Sequence, residues 1–150
     1  MADLTKREGA MLIALGVVVI VAAILVWSVI YRIPSFGRIK ALGVDFYRDS
    51  DLTMELDTID WGMCSPGNTY GVTAYCKNIK NTPGTLSLIV ENWNPSSAAT
   101  YLTPGWNYTG QTINPDEVIT IQFKLAIDPN IIDIDHFSFD YVVTLIESMG

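Results

Sequence analysis

The chain is poor in the residues that carry most enzymatic chemistry, with one histidine and two cysteines among 150 residues. A blue-copper site needs two histidines and a cysteine, and His136 stands alone before an alternating run, as a turn or strand-end residue. Zinc takes about four Cys, His or carboxylate ligands; Cys64, Cys76 and His136 fall in no recognised zinc spacing. There is no glycine-rich phosphate loop and no Ser/His/Asp order. Carboxylates are abundant, but nothing in the sequence around them signals the raised pKa that glycoside hydrolysis requires. No catalytic residue, cofactor or small-molecule substrate is therefore assigned, and the chain reads as a non-enzyme.

Basic residues are scarce as well. From Ala41 to Gly150 there are 4 Lys plus Arg (Arg48, Lys77, Lys80, Lys124) against 14 Asp plus Glu. An acidic domain with scattered cations repels phosphate backbones, which excludes a nucleic-acid partner.

What the chain does have is one long apolar run. Gly9 to Tyr31 contains no Asp, Glu, Lys or Arg, and its length as a helix, roughly 34 Å, is enough to cross a hydrocarbon layer of about 30 Å. The apolar stretch continues past Ala22 and Ala23, so it exceeds the short core of a cleaved secretory signal. A transmembrane helix is predicted over residues 9–33, after a short charged tail at 1–8 and before a linker at 34–43. Trp27 and Tyr31 share a helix face and, with Arg32, mark one membrane interface. Lys6 and Arg7 oppose Arg32, Arg38 and Lys40 across the span, so charge alone nearly balances. The low lysine content beyond the run and the sequon Asn107-Tyr108-Thr109, a glycosylation candidate, put the larger part outside the cell. The lipid bilayer is thus the first partner.

Beyond the linker the pattern changes to short period-2 segments. Ile119, Ile121, Phe123, Leu125 and Ile127 point one way; Phe137, Phe139, Tyr141, Val143 and Leu145 repeat the device. Leu86, Leu88 and Val90, and Val72, Ala74 and Cys76, offer facing layers. A change of phase between Met54-x-Leu56 and Ile59-x-Trp61 predicts a bulge or bend near Thr58. Turn signals recur at Pro66-Gly67, Pro83-Gly84, Pro95, Pro104-Gly105, Pro115 and Pro129. The fold class expected is all-β: an immunoglobulin-like β-sandwich of about seven strands over residues 44–150, preceded by a single N-terminal transmembrane α-helix. Cys64 is expected in a turn and Cys76 at the far end of the following strand. An extended chain of about 30 Å then separates them, too far for a disulfide.

The succession Thr58-Ile59-Asp60-Trp61-Gly62, Pro66-Gly67, Lys77-Asn78, Asn81-Thr82-Pro83, Glu91-Asn92-Trp93-Asn94-Pro95, Asn114-Pro115-Asp116-Glu117 and Phe137-Ser138-Phe139-Asp140 resembles a family of small archaeal membrane-anchored surface proteins. The resemblance covers nearly all of the outer domain. It implies a cell-surface location and an immunoglobulin-like sandwich, and no catalytic residue. More distantly, the order of parts is similar to archaeal type IV pilins, in which a short leader is removed. Here that leader would end at Gly9, with Glu8 between the basic pair and the cut.

Two groups of residues merit a binding hypothesis. Asp45, Asp49 and Asp51, and Asp128, Asp133 and Asp135, are acidic clusters of the oxygen-rich kind that calcium takes, although neither matches an EF-hand loop. Solvated turn aspartates that cap backbone amides are the simpler expectation. Trp93, Tyr101, Trp106 and Tyr108 lie in one loop-rich stretch and could form a sugar-binding platform; plugs at the ends of the core are the simpler expectation. The functional expectation is a non-catalytic, single-pass surface module that contacts envelope proteins or like subunits. A filament subunit cleaved after Gly9 and a carbohydrate-binding module are the alternatives.

Overall fold

Alternation of apolar and polar residues makes strands, because successive side chains leave a strand on opposite sides. In the computed structural model, which describes residues 33–148, this produces eight strands. They are β1 (Ile33–Leu42), β2 (Val44–Tyr47), β3 (Thr58–Cys64), β4 (Thr69–Asn78), β5 (Gly84–Asn94), β6 (Leu102–Trp106), β7 (Val118–Ile127) and β8 (Phe137–Glu147). A short 3-10 turn at Ser96–Thr100 follows β5.

The strands form two four-stranded sheets, ordered β3-β1-β8-β5 and β2-β4-β7-β6. Every pairing is antiparallel except that of β1 with β8, which run side by side from Ser35↔Phe137 to Leu42↔Thr144. Gly43 carries the chain from one sheet to the other between β1 and β2. Its φ is +86°, and a Cβ there would lie 2.9 Å from that of Leu145, so both backbone and space demand glycine.

The inward faces meet in an aromatic core. Phe123, Phe137, Phe139 and Tyr141 are all buried, and Phe123 of β7 packs on Tyr141 of β8 across the sheets with centroids 4.9 Å apart. The phases read from sequence for β7 and β8 are those observed: Ile121, Phe123, Leu125 and Ile127 face in, as do Phe137 to Leu145 at every second residue.

Three expectations are corrected. Residues 34–43 are not a linker: nearly all of them form β1, held between β3 and β8 in the sheet's interior. The inward residues Ser35 and Gly37 are not apolar, so the period-2 pattern of β1 is hard to see in the sequence; both are nevertheless buried. The folded unit accordingly starts at Ile33, not at residue 44. Second, the change of phase near Thr58 arises because Met54 and Leu56 precede β3, which only begins at Thr58. The bulge itself lies at Trp61, the extra residue between the pairs Phe36↔Asp60 and Ser35↔Gly62. Third, Cys64 is not in a turn. It ends β3, fully buried, with its Sγ 3.0 Å from Ser35 Oγ.

No helix among the described residues is long and apolar enough to cross a membrane. The span expected over 9–33 lies outside them, except that Ile33 is the first residue of β1. Trp27, Tyr31 and Arg32 also lie outside the described residues.

Candidate functional site

The two acidic clusters do not assemble. Asp49 is used locally: its carboxylate accepts from the backbone N–H of Thr53 and of Met54, at 3.0 Å each, and from the Thr53 hydroxyl. That set of donors, the Thr53 hydroxyl foremost, holds its carboxyl below the usual range. Asp51 is exposed in the same turn. Asp45 is on β2, where it joins Glu55 and Asp57 around a recess of about 130 Å³ floored by Ile39, Phe46 and Leu56. At the other end of the sandwich Asp128 accepts from Asn130 N–H at 2.7 Å, Asp135 meets His136 Nδ1 at 2.6 Å, and Asp133 is exposed. Among the described residues no three His, Cys, Asp or Glu side chains come together as a metal cradle.

Of the four aromatics, Trp106 and Tyr108 come together as a pair. Trp93, near the end of β5, lies on Phe139 with centroids 4.8 Å apart. Trp106, at the end of β6, contacts Phe123 at 6.2 Å and Tyr108 at 5.2 Å. Phe139 and Phe123 belong to the core, so Trp93 and Trp106, both half-buried, each lie with one side against it. Tyr108 Oη accepts from Leu86 N–H at 3.0 Å and donates to Gln111 carbonyl at 2.6 Å, fastening the loop after β6 onto the edge of β5. Tyr101 is half-buried after the 3-10 turn, where its backbone carbonyl takes the Asp128 N–H at 2.8 Å. Asn107 is exposed and extends the β6–β7 ladder by one rung: its N–H donates to Gln122 carbonyl at 3.1 Å and its Oδ1 accepts Gln122 N–H at 2.8 Å.

The polar constellation the sequence hid is on the outer face of the β3-β1-β8-β5 sheet. Asp140 alternates outward on β8, yet it is only 8% exposed. Lys40 Nζ lies 3.0 Å from its carboxylate, and Asn92 Nδ2 donates to it at 2.8 Å. Asn92 reaches it from a left-handed backbone (φ 56°), where β5 breaks register between Glu91 and Asn94. Burial opposes ionisation of Asp140, but Asn92, Lys40 and then Arg38 outweigh it and hold the carboxyl below the usual range. Neither Lys40 nor Arg38 was legible as a partner, because both fall in the stretch taken for a linker. The usable signal was their i, i+2 spacing on one strand face.

The buried thiols are unreactive in kind. Burial pushes the Cys76 thiol up to about 12 and raises that of Cys64 as well, the latter eased by its contact with Ser35. The two cysteines are free, on strands of opposite sheets. No protein-family model matches the chain, and no curated protein matches it either.

Proposed function

We propose that the chain is a single-pass, membrane-anchored cell-surface protein whose β-sandwich serves as a structural or interaction module of the envelope. The observation that carries this reading is the joint between its two parts. The uncharged run ends at Tyr31 and β1 begins at Ile33, leaving Arg32 alone between a segment long enough to span a bilayer and the first strand. The sandwich is committed to packing: its aromatics fill the core and its edge, and its turn carboxylates cap backbone amides.

Strand order supports the finer immunoglobulin-like class. The β2-β4-β7-β6 sheet repeats the A-B-E-D order of that fold, and the β5–β8 pair stands where C and F do. The position of G is taken by β1, which runs parallel to β8.

The experiment is protease treatment of intact cells combined with carbonate extraction of membranes. The expected result is a carbonate-resistant chain whose sandwich is digested from outside. Full protection in intact cells would reverse the orientation, and release by carbonate would remove the anchor.

The closeness in sequence of the apolar run to β1 is also compatible with a second reading, a filament subunit, in which such runs from many copies would pack into a common core. Mass measurement of the native amino terminus separates the two. A start at Ala10 makes the filament reading the leading one, and a start at Met1 or Ala2 retires it.

A further inference from the structure

The outer face of the β3-β1-β8-β5 sheet gathers five of the nine large apolar side chains that are exposed among the described residues. Phe36, Leu42, Met63, Ile89 and Ile146 all project from it, between 49% and 62% exposed. Val142 sits between them, half-buried and paired with both Lys40 and Ile89. Outward on the facing sheet's central strands are Thr73, Lys77, Thr120, Gln122 and Lys124, with Val118 as the exposed large apolar side chain among them. Phe36 and Met63 lie toward one end of the face and Leu42, Ile89 and Ile146 toward the other, with Arg38, Lys40 and Asp140 between, and exposed apolar side chains gathered on one face in this way mark a contact surface.

Charge identifies what it contacts. On this face two cations, Arg38 and Lys40, stand with three carboxylates, Asp60, Glu91 and Asp140. The rest of residues 33–148 has four Lys plus Arg against eleven Asp plus Glu. Two copies of this acidic domain therefore repel one another least on approach by this face, where the balance is near neutral and exposed apolar side chains flank the Lys40–Asp140 pair.

We propose that this face is where two copies of the chain pack, sheet against sheet. Four strands at about 4.8 Å spacing and ten residues at about 3.3 Å give a face of roughly 600 Å² before side-chain relief. A stable interface buries about 800 Å² per partner, so the pair is weak in solution and gains from confinement of both copies to one membrane. That last step rests on the anchored reading above. The topology permits it: a two-fold axis parallel to β1 sets two such sheets face to face in aligned packing, with both copies' Ile33 at the same end.

The test uses the full chain in native membranes, with Val142→Cys or, as an independent probe of the same central strand, Thr144→Cys, treated with a short bis-maleimide. Thr120→Cys, exposed on the opposite sheet, is the control. Cys64 and Cys76 are both buried and add no background. The expected result is a covalent dimer at 142 and 144 and none at 120, reduced about tenfold by Ile89→Glu in the same background. The proposal is overturned by equal linkage at 120, by insensitivity to Ile89→Glu, by linkage only to other proteins, or by no linkage at either central position. Carbonate extraction of the same samples reports the anchor separately. A chain released by carbonate that still links at 142 retains the contact and loses the anchor; one that resists carbonate without linking does the reverse.

Discussion

Tyr141 donates its hydroxyl to the carbonyl of Lys124 at 3.0 Å, tying the centre of β8 to the backbone of β7 across the core. Tyr141 is fully buried, and that burial raises its pKa well above the ordinary tyrosine value, so the hydroxyl stays a neutral donor. Tyr141→Phe leaves the ring packing on Phe123 intact and removes only this bond. A stability loss of about 1 kcal/mol is expected in urea unfolding, with little change in the slope. A neutral result would mean that this bond adds nothing to the packing between the two sheets.

Gly37 and Trp61 form a tight pair. A Cβ on Gly37 would lie 3.1 Å from Trp61 Nε1 and 3.4 Å from the Tyr141 ring. The Trp61 N–H is itself buried with no hydrogen-bond partner among the described residues. Gly37→Ala should cost about 1–3 kcal/mol through overpacking. In a Trp61→Phe background the same change should cost clearly less, because the smaller ring yields space and no orphaned donor remains. A double-mutant cycle by urea unfolding checks this; additive effects would show that the two side chains do not compete for the same volume.

The pH dependence follows from Asp140. Its folded carboxyl lies below the usual range, held there by Asn92, Lys40 and Arg38 against the opposing effect of burial. A depressed folded pKa means the unfolded chain binds the proton first. The contribution to stability is therefore complete above the unfolded value of about 3.9 and fades as pH falls through the lower folded value. Lys40→Met should flatten the acid limb of the stability curve. Unfolding midpoints compared between neutral pH and pH 3 would reveal it, and an unchanged difference would remove Lys40 from the network.

Much of the sandwich was legible because its clearest strands are amphipathic in the simplest sense. β7 and β8 alternate large apolar with polar residues over nearly their whole length, and both their positions and their inward faces follow from that. β1 was not legible. Its inward positions include Ser35 and Gly37, small residues chosen by the crowding of Cys64 and Trp61 above them, so no apolar alternation signals the strand. Losing β1 also hid the Asp140 network and the apolar outer face, since Phe36, Arg38, Lys40 and Leu42 all belong to that strand. The acidic clusters show the converse. Proximity in sequence suggested convergence, but short-range capping bonds claim the carboxylates first.

Asn78 is the last and strictest test of how the turns are assembled. It ends β4 fully buried, where a polar side chain persists only if its groups are satisfied. Its Nδ2 donates to the Thr82 carbonyl at 3.0 Å and to the Ile113 carbonyl at 2.9 Å, while its Oδ1 accepts Lys80 N–H at 2.8 Å. Its backbone is engaged as well, with N–H to the Glu117 carbonyl at 3.1 Å and carbonyl to Asp116 N–H at 3.0 Å. One side chain thus joins the β4–β5 turn to the segment before β7, which Ile113 also ties to Gly84. Asn78→Ala would remove a donor from the Ile113 carbonyl, which keeps Gly84 N–H, and leave the part-buried Thr82 carbonyl and Lys80 N–H without this partner, at an expected cost of about 1–3 kcal/mol. Asn78→Asp keeps the acceptor for Lys80 but turns both donors into acceptors facing carbonyls, so it should be no better than alanine at neutral pH. It should recover partly in acid, where a protonated carboxyl can donate one bond again. Thermal unfolding of the two variants across pH reads this directly, and an Asn78→Asp protein as stable as the parent at pH 7 would show that the two Nδ2 bonds contribute nothing.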